Sequence, residues 1–139
     1  GTEKNVLLVD QHNLEVIRQW KGHTREITGL VEYNKEIWSA SGDSTIRVWS
    51  EENDNCLCTL TAHTGKVLSI TKTADYVWSG SFDTAIFVWN PKTKLLVQEL
   101  RHEHTDAVRS MISFQELVWS GSAELDGHIC LWKASTDSI

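Results

Sequence analysis

Short apolar runs separated by polar turn residues recur along the whole chain. No stretch keeps the spacing of about 3.6 residues that an amphipathic helix requires. Turn-forming residues such as Gly42-Asp43-Ser44 stand between the runs. Short strands separated by turns in this way predict an all-β fold. The predicted strands are residues 6–9, 14–20, 27–31, 37–40, 45–49, 56–60, 67–71, 76–79, 85–89, 95–100, 108–112, 117–120 and 129–132.

Four polar or aromatic residues return along the chain at a regular interval. A histidine, a serine, an aspartate and a tryptophan of the first copy each recur 40 positions later in the second copy. The third copy carries small insertions, one before its histidine and two before its aspartate. A period of this length predicts a repeat architecture. The three sets are His23, Ser39, Asp43 and Trp49; His63, Ser79, Asp83 and Trp89; and His104, Ser120, Asp126 and Trp132.

A histidine, a hydroxyl and a carboxylate in one set could indicate nucleophilic catalysis. Three copies on one period instead indicate three equivalent structural parts, because an enzyme needs a single site. An indole N–H, a hydroxyl, an imidazole and a carboxylate can also form a chain in which each donor meets an acceptor. We therefore favour a structural network inside each repeat over a hydrolase site.

The repeated motifs resemble those of the WD40 repeat family. Gly22-His23 matches the family's GH pair, and residues 37–43 (I-W-S-A-S-G-D) and 77–83 (V-W-S-G-S-F-D) match its second strand and turn. Trp49 stands at the family's tryptophan position. The resemblance implies a β-propeller with four-stranded antiparallel blades and makes the three sets the intrablade hydrogen-bond tetrads. The chain departs from the family pattern at Ser50, Asn90 and Lys133, where aspartate is usual, and at Ala62 and Glu103, where glycine is usual.

The resemblance divides the chain into blades. Residues 1–21 are expected to be the last two strands of a preceding blade, 22–61 and 62–102 to be complete blades, and 103–139 to be a blade without its fourth strand. Full propellers have about 4–8 blades. We therefore expect part of a larger propeller, whose remaining blades belong to a parent chain. Closure of a six-bladed ring by two copies and a stable open arc are the alternatives.

A second tryptophan precedes the tetrad serine in each copy, at Trp38, Trp78 and Trp119. We expect these indoles to fill the layers between neighbouring blades. The alternative is an aromatic ring that lines a ligand pocket.

The cysteines and the remaining histidines do not form a metal pattern. Cys56, Cys58 and Cys130 match neither a disulfide framework nor zinc spacing. We expect Cys56 and Cys58 to be buried thiols, and a reducing, cytoplasmic location. His102 stands two positions before His104, but His104 belongs to a tetrad, so we expect no metal and no cofactor.

The resemblance also implies a partner-binding face beside the tetrads. Phe82 and Leu125 are large apolar residues in turns, which indicates either an interaction surface or side chains that pack on their own blades. Lys66 and Arg109 could contact an acidic or phosphorylated peptide. The predicted face comprises Glu26, Thr28, Lys66, Leu68, Phe82, Ala107, Arg109 and Leu125, beside Gly42.

Net charge and hydropathy reduce the number of functional classes that fit the sequence. The formal net charge of −6 argues against nucleic acid and anionic membranes as partners, and no apolar run reaches the ~18 residues of a membrane span. The leading hypothesis is a non-catalytic scaffold that binds a protein or peptide through the propeller face. The alternatives are a regulatory or targeting domain of a larger signalling protein or enzyme, and a binder of phosphopeptides or phosphoinositides.

Overall fold

The computed structural model of the chain describes residues 4–52, 55–122 and 127–133. Every regular element in these ranges is a β-strand, as the short apolar runs separated by turn residues predicted. The strands are β1 (Val6–Val9), β2 (Val16–Trp20), β3 (Ile27–Tyr33), β4 (Glu36–Ser41), β5 (Ile46–Ser50), β6 (Cys56–Leu60), β7 (Val67–Lys72), β8 (Val77–Ser81), β9 (Ile86–Asn90), β10 (Leu95–Leu100), β11 (Val108–Phe114), β12 (Leu117–Ser122) and β13 (Ile129–Lys133).

The strands form four separate antiparallel sheets, each built from strands that are consecutive in the chain. Blade 1 has the order β3-β4-β5-β6, and blade 2 has the order β7-β8-β9-β10. Blade 3 comprises β11-β12-β13 among the described residues, and β1 pairs with β2 in an N-terminal hairpin. These sheets confirm the predicted all-β fold of propeller blades. The assignment of residues 1–21 to a preceding blade stays a prediction.

An apolar layer joins each blade to the next. Between blades 1 and 2, Trp38 and Val48 pack with Val77 and Phe87, and all four are buried. Between blades 2 and 3, Trp78 belongs to a cluster with the same kind of aliphatic neighbours, namely Ile86, Val88, Val108, Met111 and Val118. Burial of each tryptophan removes enough apolar surface from water to contribute roughly 4–6 kcal/mol before entropic costs.

Gly80 allows blades 2 and 3 to approach closely. A Cβ atom at this position would lie 2.6 Å from both Ser69 Oγ and Val108 Cγ1, well inside normal contact distance. Any side chain here would therefore push the two blades apart.

The recurring tryptophans confirm the packing prediction in two of three places. Trp38 is fully buried and Trp78 is 2% exposed, whereas Trp119 is 41% exposed. Trp119 lies on the outward face of blade 3, which no further sheet covers among the described residues. Exposed Ile112, Ile129 and Leu131 lie on the same blade. The expectation for Trp119 was wrong because burial of that position depends on a neighbouring blade.

The expectation of two buried cysteines was wrong for Cys56, which is exposed. β6 is the outermost strand of blade 1, so its starting residue contacts water; Arg47 Nη1 is 3.7 Å from Cys56 Sγ. Cys58 is partly buried against the layer between blades 1 and 2, and this burial raises the pKa of its thiol.

No helix long and apolar enough to cross a membrane occurs in the described ranges.

Candidate functional site

The first set of repeated residues forms a continuous hydrogen-bond chain. Trp49 Nε1 donates to Ser39 Oγ at 2.8 Å, and Ser39 Oγ lies 2.6 Å from His23 Nε2. On its other side, His23 Nδ1 is 2.8 Å from Asp43 Oδ2. The chain connects β5, β4, the segment before β3 and the turn after β4, so it cross-links the whole of blade 1 around one buried serine.

The second set repeats this geometry almost atom for atom. Trp89 Nε1 donates to Ser79 Oγ at 2.8 Å, and Ser79 Oγ lies 2.8 Å from His63 Nε2. His63 Nδ1 is 2.9 Å from Asp83 Oδ2.

The third set has the same connections where it is described. Trp132 Nε1 donates to Ser120 Oγ at 2.8 Å, and Ser120 Oγ lies 2.8 Å from His104 Nε2. Asp126, the predicted carboxylate of this tetrad, lies outside the described residues.

The two described tetrad aspartates, Asp43 and Asp83, also close the turn that follows the second strand. Asp83 Oδ1 accepts from the Ala85 N–H at 2.9 Å, and Asp83 Oδ2 accepts from the Thr64 N–H at 3.0 Å. These bonds hold Thr84 at φ 73°, a left-handed conformation that a β-branched residue rarely adopts. The aspartate therefore shapes the turn beside the predicted binding face.

The surroundings of the first tetrad favour a neutral His23 and an ionised Asp43. Burial lowers the pKa of His23 below its ordinary value, against the opposing effect of Asp43. Burial alone would raise the pKa of Asp43, but hydrogen bonds from Thr45 and His23 outweigh it and bring the pKa to about 2. With a proton on His23 Nδ1, Nε2 accepts from the serine hydroxyl, which in turn accepts from the indole.

The tetrad serines have no access to a substrate. Ser39 and Ser79 are fully buried, and Ser120 is 1% exposed. Each hydroxyl is held between an indole and an imidazole, as described above. The arrangement stabilises a sheet, and the same geometry in each set favours the structural interpretation over nucleophilic catalysis.

Phe82 is the most exposed aromatic side chain beside these tetrads. Its side chain is 58% exposed, and the Phe82 N–H donates to the Lys66 carbonyl at 2.8 Å. Lys66 Nζ lies 3.8 Å from Glu26 Oε1 of the neighbouring blade. In blade 1 the place of Phe82 is taken by Gly42, where a side chain would collide with the Glu26 carboxylate. We call the surface that carries Glu26, Lys66, Phe82 and the exposed Arg109 the tetrad face.

Other predicted face residues have different surroundings. Thr28 donates through Oγ1 to the Val67 carbonyl at 2.6 Å and so connects blades 1 and 2. Leu68 is partly buried. Ala107, just before β11, is 1% exposed, so its side chain does not reach the surface and the prediction that it belongs to the binding face was wrong. Leu125 lies outside the described residues.

Ion pairs between blades were missed by the sequence reasoning. Lys72 Nζ lies 3.5 Å from Glu32 Oε2, as Lys66 pairs with Glu26. Both pairs join positions 40 residues apart, which are equivalent places on adjacent blades. Opposite charges at one repeat period are the signal that could have revealed them. In the described part of the chain, no group of three or more His, Cys, Asp or Glu residues could hold a metal ion.

Solved structures resemble this arrangement. The structure of U3-55K superposes with a TM-score of 0.86 over 95% of this chain and 43% of that one, at 20% identity, which shows the fold. The computationally designed Ika4 protein superposes with a TM-score of 0.82 at 25% identity, over 95% of this chain and 81% of that chain.

Curated relatives share the sequence pattern. The probable serine/threonine-protein kinase pats1 of Dictyostelium discoideum is 42% identical over 99% of this chain, but the chain spans only 5% of that protein. Human pre-mRNA-processing factor 19 is 37% identical over 41% of this chain and 12% of its own length.

A family model ties the repeats together. The model described as "WD domain, G-beta repeat" matches residues 14–50 and 54–90, and these ranges contain all four residues of the first tetrad and all four of the second. These two matches cover more than half of the 139 residues. The chain belongs to the WD40 repeat family.

Proposed function

We propose that this chain is a non-catalytic scaffold that binds a protein or peptide through the tetrad face, with Phe82 as its anchor. WD40 repeats imply interaction with other proteins. The observation that carries the proposal is the exposed Phe82 ring on a turn held by Asp83 and by the Lys66 carbonyl. A rigid, exposed aromatic side chain contributes contact area at low entropic cost, which is typical of binding hot spots.

We propose a non-catalytic role because of the surroundings of the tetrad serines. Their serine hydroxyls are buried and fully engaged, so none can reach a scissile bond. The proposal keeps a cytoplasmic location, because Cys56, Cys58 and Cys130, all described, form no disulfide.

A second candidate function is a regulatory or targeting part of a larger protein. The match to pats1 favours it, because the similarity extends over nearly the whole chain while covering a small part of that protein. The exposed outward face of blade 3 fits further blades of a parent chain, or a second copy, as its neighbour.

Phosphate recognition is supported less well. It requires clustered cations, but Lys66 on the tetrad face is already paired with Glu26 at 3.8 Å. Arg109 is exposed and forms no hydrogen bond or ion pair with the described residues. One unpaired guanidinium favours an acidic side chain of a protein partner over a phosphate site.

The test compares the Phe82→Ala variant with Leu95→Ala. Leu95 is 65% exposed on an outer strand and serves as the matched control for loss of exposed apolar surface. Proteins retained by the immobilised wild-type chain are quantified by mass spectrometry, and the strongest is purified for calorimetric titration. We expect Phe82→Ala to weaken its binding about tenfold or more, as for a hot-spot residue. Leu95→Ala is expected to leave the binding unchanged.

Equal affinity of Phe82→Ala and the wild type would refute Phe82 as the anchor. Turnover of a substrate by the chain alone, abolished by Ser79→Ala, would refute the non-catalytic assignment.

A further inference from the structure

A groove lies at the opposite end of the strands from the tetrad face. Its volume is about 470 Å³, and the hairpin turns between the first and second strands of all three blades contribute to its walls. We call it the turn groove. It is lined by Tyr33, Asn34, Lys72, Thr73, Ala74, Ser113, Phe114, Gln115 and Glu116.

Hydrogen bonds between blades hold the groove in shape. The Tyr33 hydroxyl donates to the Ala74 carbonyl at 3.2 Å, which fixes the ring of blade 1 against the turn of blade 2. Thr71 Oγ1 and Ser113 Oγ, at 3.2 Å, make the corresponding connection between blades 2 and 3. A surface that is already ordered loses little entropy when it binds a ligand.

The walls of the groove suit an extended peptide. Tyr33 and Phe114 occupy equivalent places on β3 and β11, and Phe114 is 66% exposed. Tyr33 also lines the groove, and it is partly buried against the layer between blades 1 and 2. The side-chain amides of Asn34 and Gln115 make no hydrogen bond within the described residues and can bind peptide N–H and C=O groups.

The charges of the groove favour a cation. Lys72 Nζ donates to the Glu32 carbonyl at 2.6 Å and lies 3.5 Å from Glu32 Oε2, so its charge is already matched. Glu116 is exposed and forms no ion pair with the described part of the chain. An exposed phenyl ring beside an unpaired carboxylate can hold an arginine or lysine side chain by cation–π and charge-assisted contacts.

We propose that the turn groove is a second binding site, which takes an extended peptide segment carrying an arginine or lysine side chain. Glu116 binds the cationic group, Phe114 packs against its aliphatic stem, and the amides of Asn34 and Gln115 bind the peptide backbone. The site is separate from the tetrad face, so one chain can hold two partners at once.

The experiment uses a fluorescein-labelled peptide of about eight residues that alternates arginine and glycine, the length of a typical extended recognition segment. A peptide with glutamate in place of arginine is the charge control. Fluorescence anisotropy measures the affinity of the wild-type chain and of four variants. Glu116→Lys is matched by Glu103→Lys, which makes the same change in net charge at an exposed position before β11, at the other end of the strands. Phe114→Ala is matched by Phe82→Ala on the tetrad face.

We expect the arginine peptide to bind, and Glu116→Lys and Phe114→Ala each to weaken it about tenfold, as for a central contact. Glu103→Lys and Phe82→Ala should change its affinity less than about twofold. Equal losses for Glu116→Lys and Glu103→Lys would overturn the site, because they would reveal attraction to net charge alone. No binding up to about 1 mM, or equal binding of the glutamate peptide, would also overturn it. Since Phe82→Ala reports on the tetrad face, failure of one proposal leaves the other testable.

Discussion

The interface between blades 1 and 2 differs from that between blades 2 and 3 in its polar contacts, although the apolar layers are alike. Three lysines of blade 2 pair with three glutamates of blade 1: Lys66 with Glu26, Lys72 with Glu32 and Lys94 with Glu36. Hydroxyl contacts occur at both interfaces: Thr28 Oγ1 donates to the Val67 carbonyl between blades 1 and 2, and Ser69 Oγ donates to the Val108 carbonyl between blades 2 and 3. Thr71 Oγ1 and Ser113 Oγ also join blades 2 and 3.

The comparison assigns different roles to the two kinds of contact: apolar layers hold adjacent blades together, and charged pairs distinguish one interface from the other. Trp38 and Trp78 occupy the same place in the two layers, so apolar burial by itself would accept any neighbouring blade. Ala107 and Ser113 stand in blade 3 where Lys66 and Lys72 stand in blade 2. The charged pairs therefore select blade 2 as the neighbour of blade 1, which is how electrostatic complementarity usually contributes to interfaces.

Removal of the layer tryptophans is expected to have the largest effect. Trp38→Ala and Trp78→Ala should each lower the free energy of unfolding by about 3–5 kcal/mol, because each leaves a cavity between two blades. Trp119→Ala, on the exposed face, should cost about 1 kcal/mol. Urea denaturation followed by circular dichroism measures all three, and Trp38→Phe provides a milder variant if Trp38→Ala does not fold. A loss at Trp119 as large as at Trp38 would show that its face is covered in solution.

Protonation of Asp83 in acid should lower the free energy of unfolding by less than the loss of a layer tryptophan does. Burial alone would raise the pKa of Asp83, but hydrogen bonds from His63 and the Ala85 N–H lower it from 3.8 to about 2. A depressed pKa in the folded state contributes stability above the unfolded value, and this is lost as pH falls from about 4 to 2. The contribution is about 2 kcal/mol for this buried side chain.

The Asp83→Asn variant isolates the contribution of Asp83 from that of the other acidic groups in the chain. The difference in unfolding free energy between wild type and variant should be greatest near neutral pH and shrink towards pH 2. A difference that does not change across this range would contradict the assignment of the stability to the ionised Asp83.

The smallest expected losses of stability come from the ion pairs between blades, and these pairs should differ in how much each contributes. Lys94 lies 2.9 Å from Glu36, with both side chains largely buried, and 5.9 Å from the centre of the Trp38 ring. Lys94→Met is expected to cost about 1 kcal/mol. Lys66→Met should change stability by less than about 0.5 kcal/mol, because its pair is longer and more exposed. Thermal unfolding at low and high salt measures both, and equal losses would remove the distinction between these pairs.

Much of the fold could be predicted because its signals are local. Short apolar runs and turn residues located all thirteen strands of the described residues, and no strand end is shifted by more than two residues. The regular recurrence of four residue types placed His23, Ser39, Asp43 and Trp49 in one network before any distance was known. Repetition provides this information because each copy must build the same blade.

Features that depend on a neighbour could not be predicted in the same way. Trp119 repeats the pattern of Trp38, yet its exposure is set by the absence of a covering sheet among the described residues. Ala107 follows the family's binding positions, but its side chain is buried. The turn groove is invisible in any single repeat, because turns from three blades form it.

The order of the sheets also bears on how the chain folds. Every strand pairs with strands next to it in sequence, so each blade can form from local contacts and lose little loop-closure entropy. Contacts between blades then span about one repeat, and ordering spreads from blade to neighbouring blade as in other repeat proteins. Blade 1 lies between the N-terminal hairpin and blade 2, and blade 2 lies between blades 1 and 3, whereas one face of blade 3 is uncovered among the described residues. Blade 3 is therefore expected to open before blades 1 and 2.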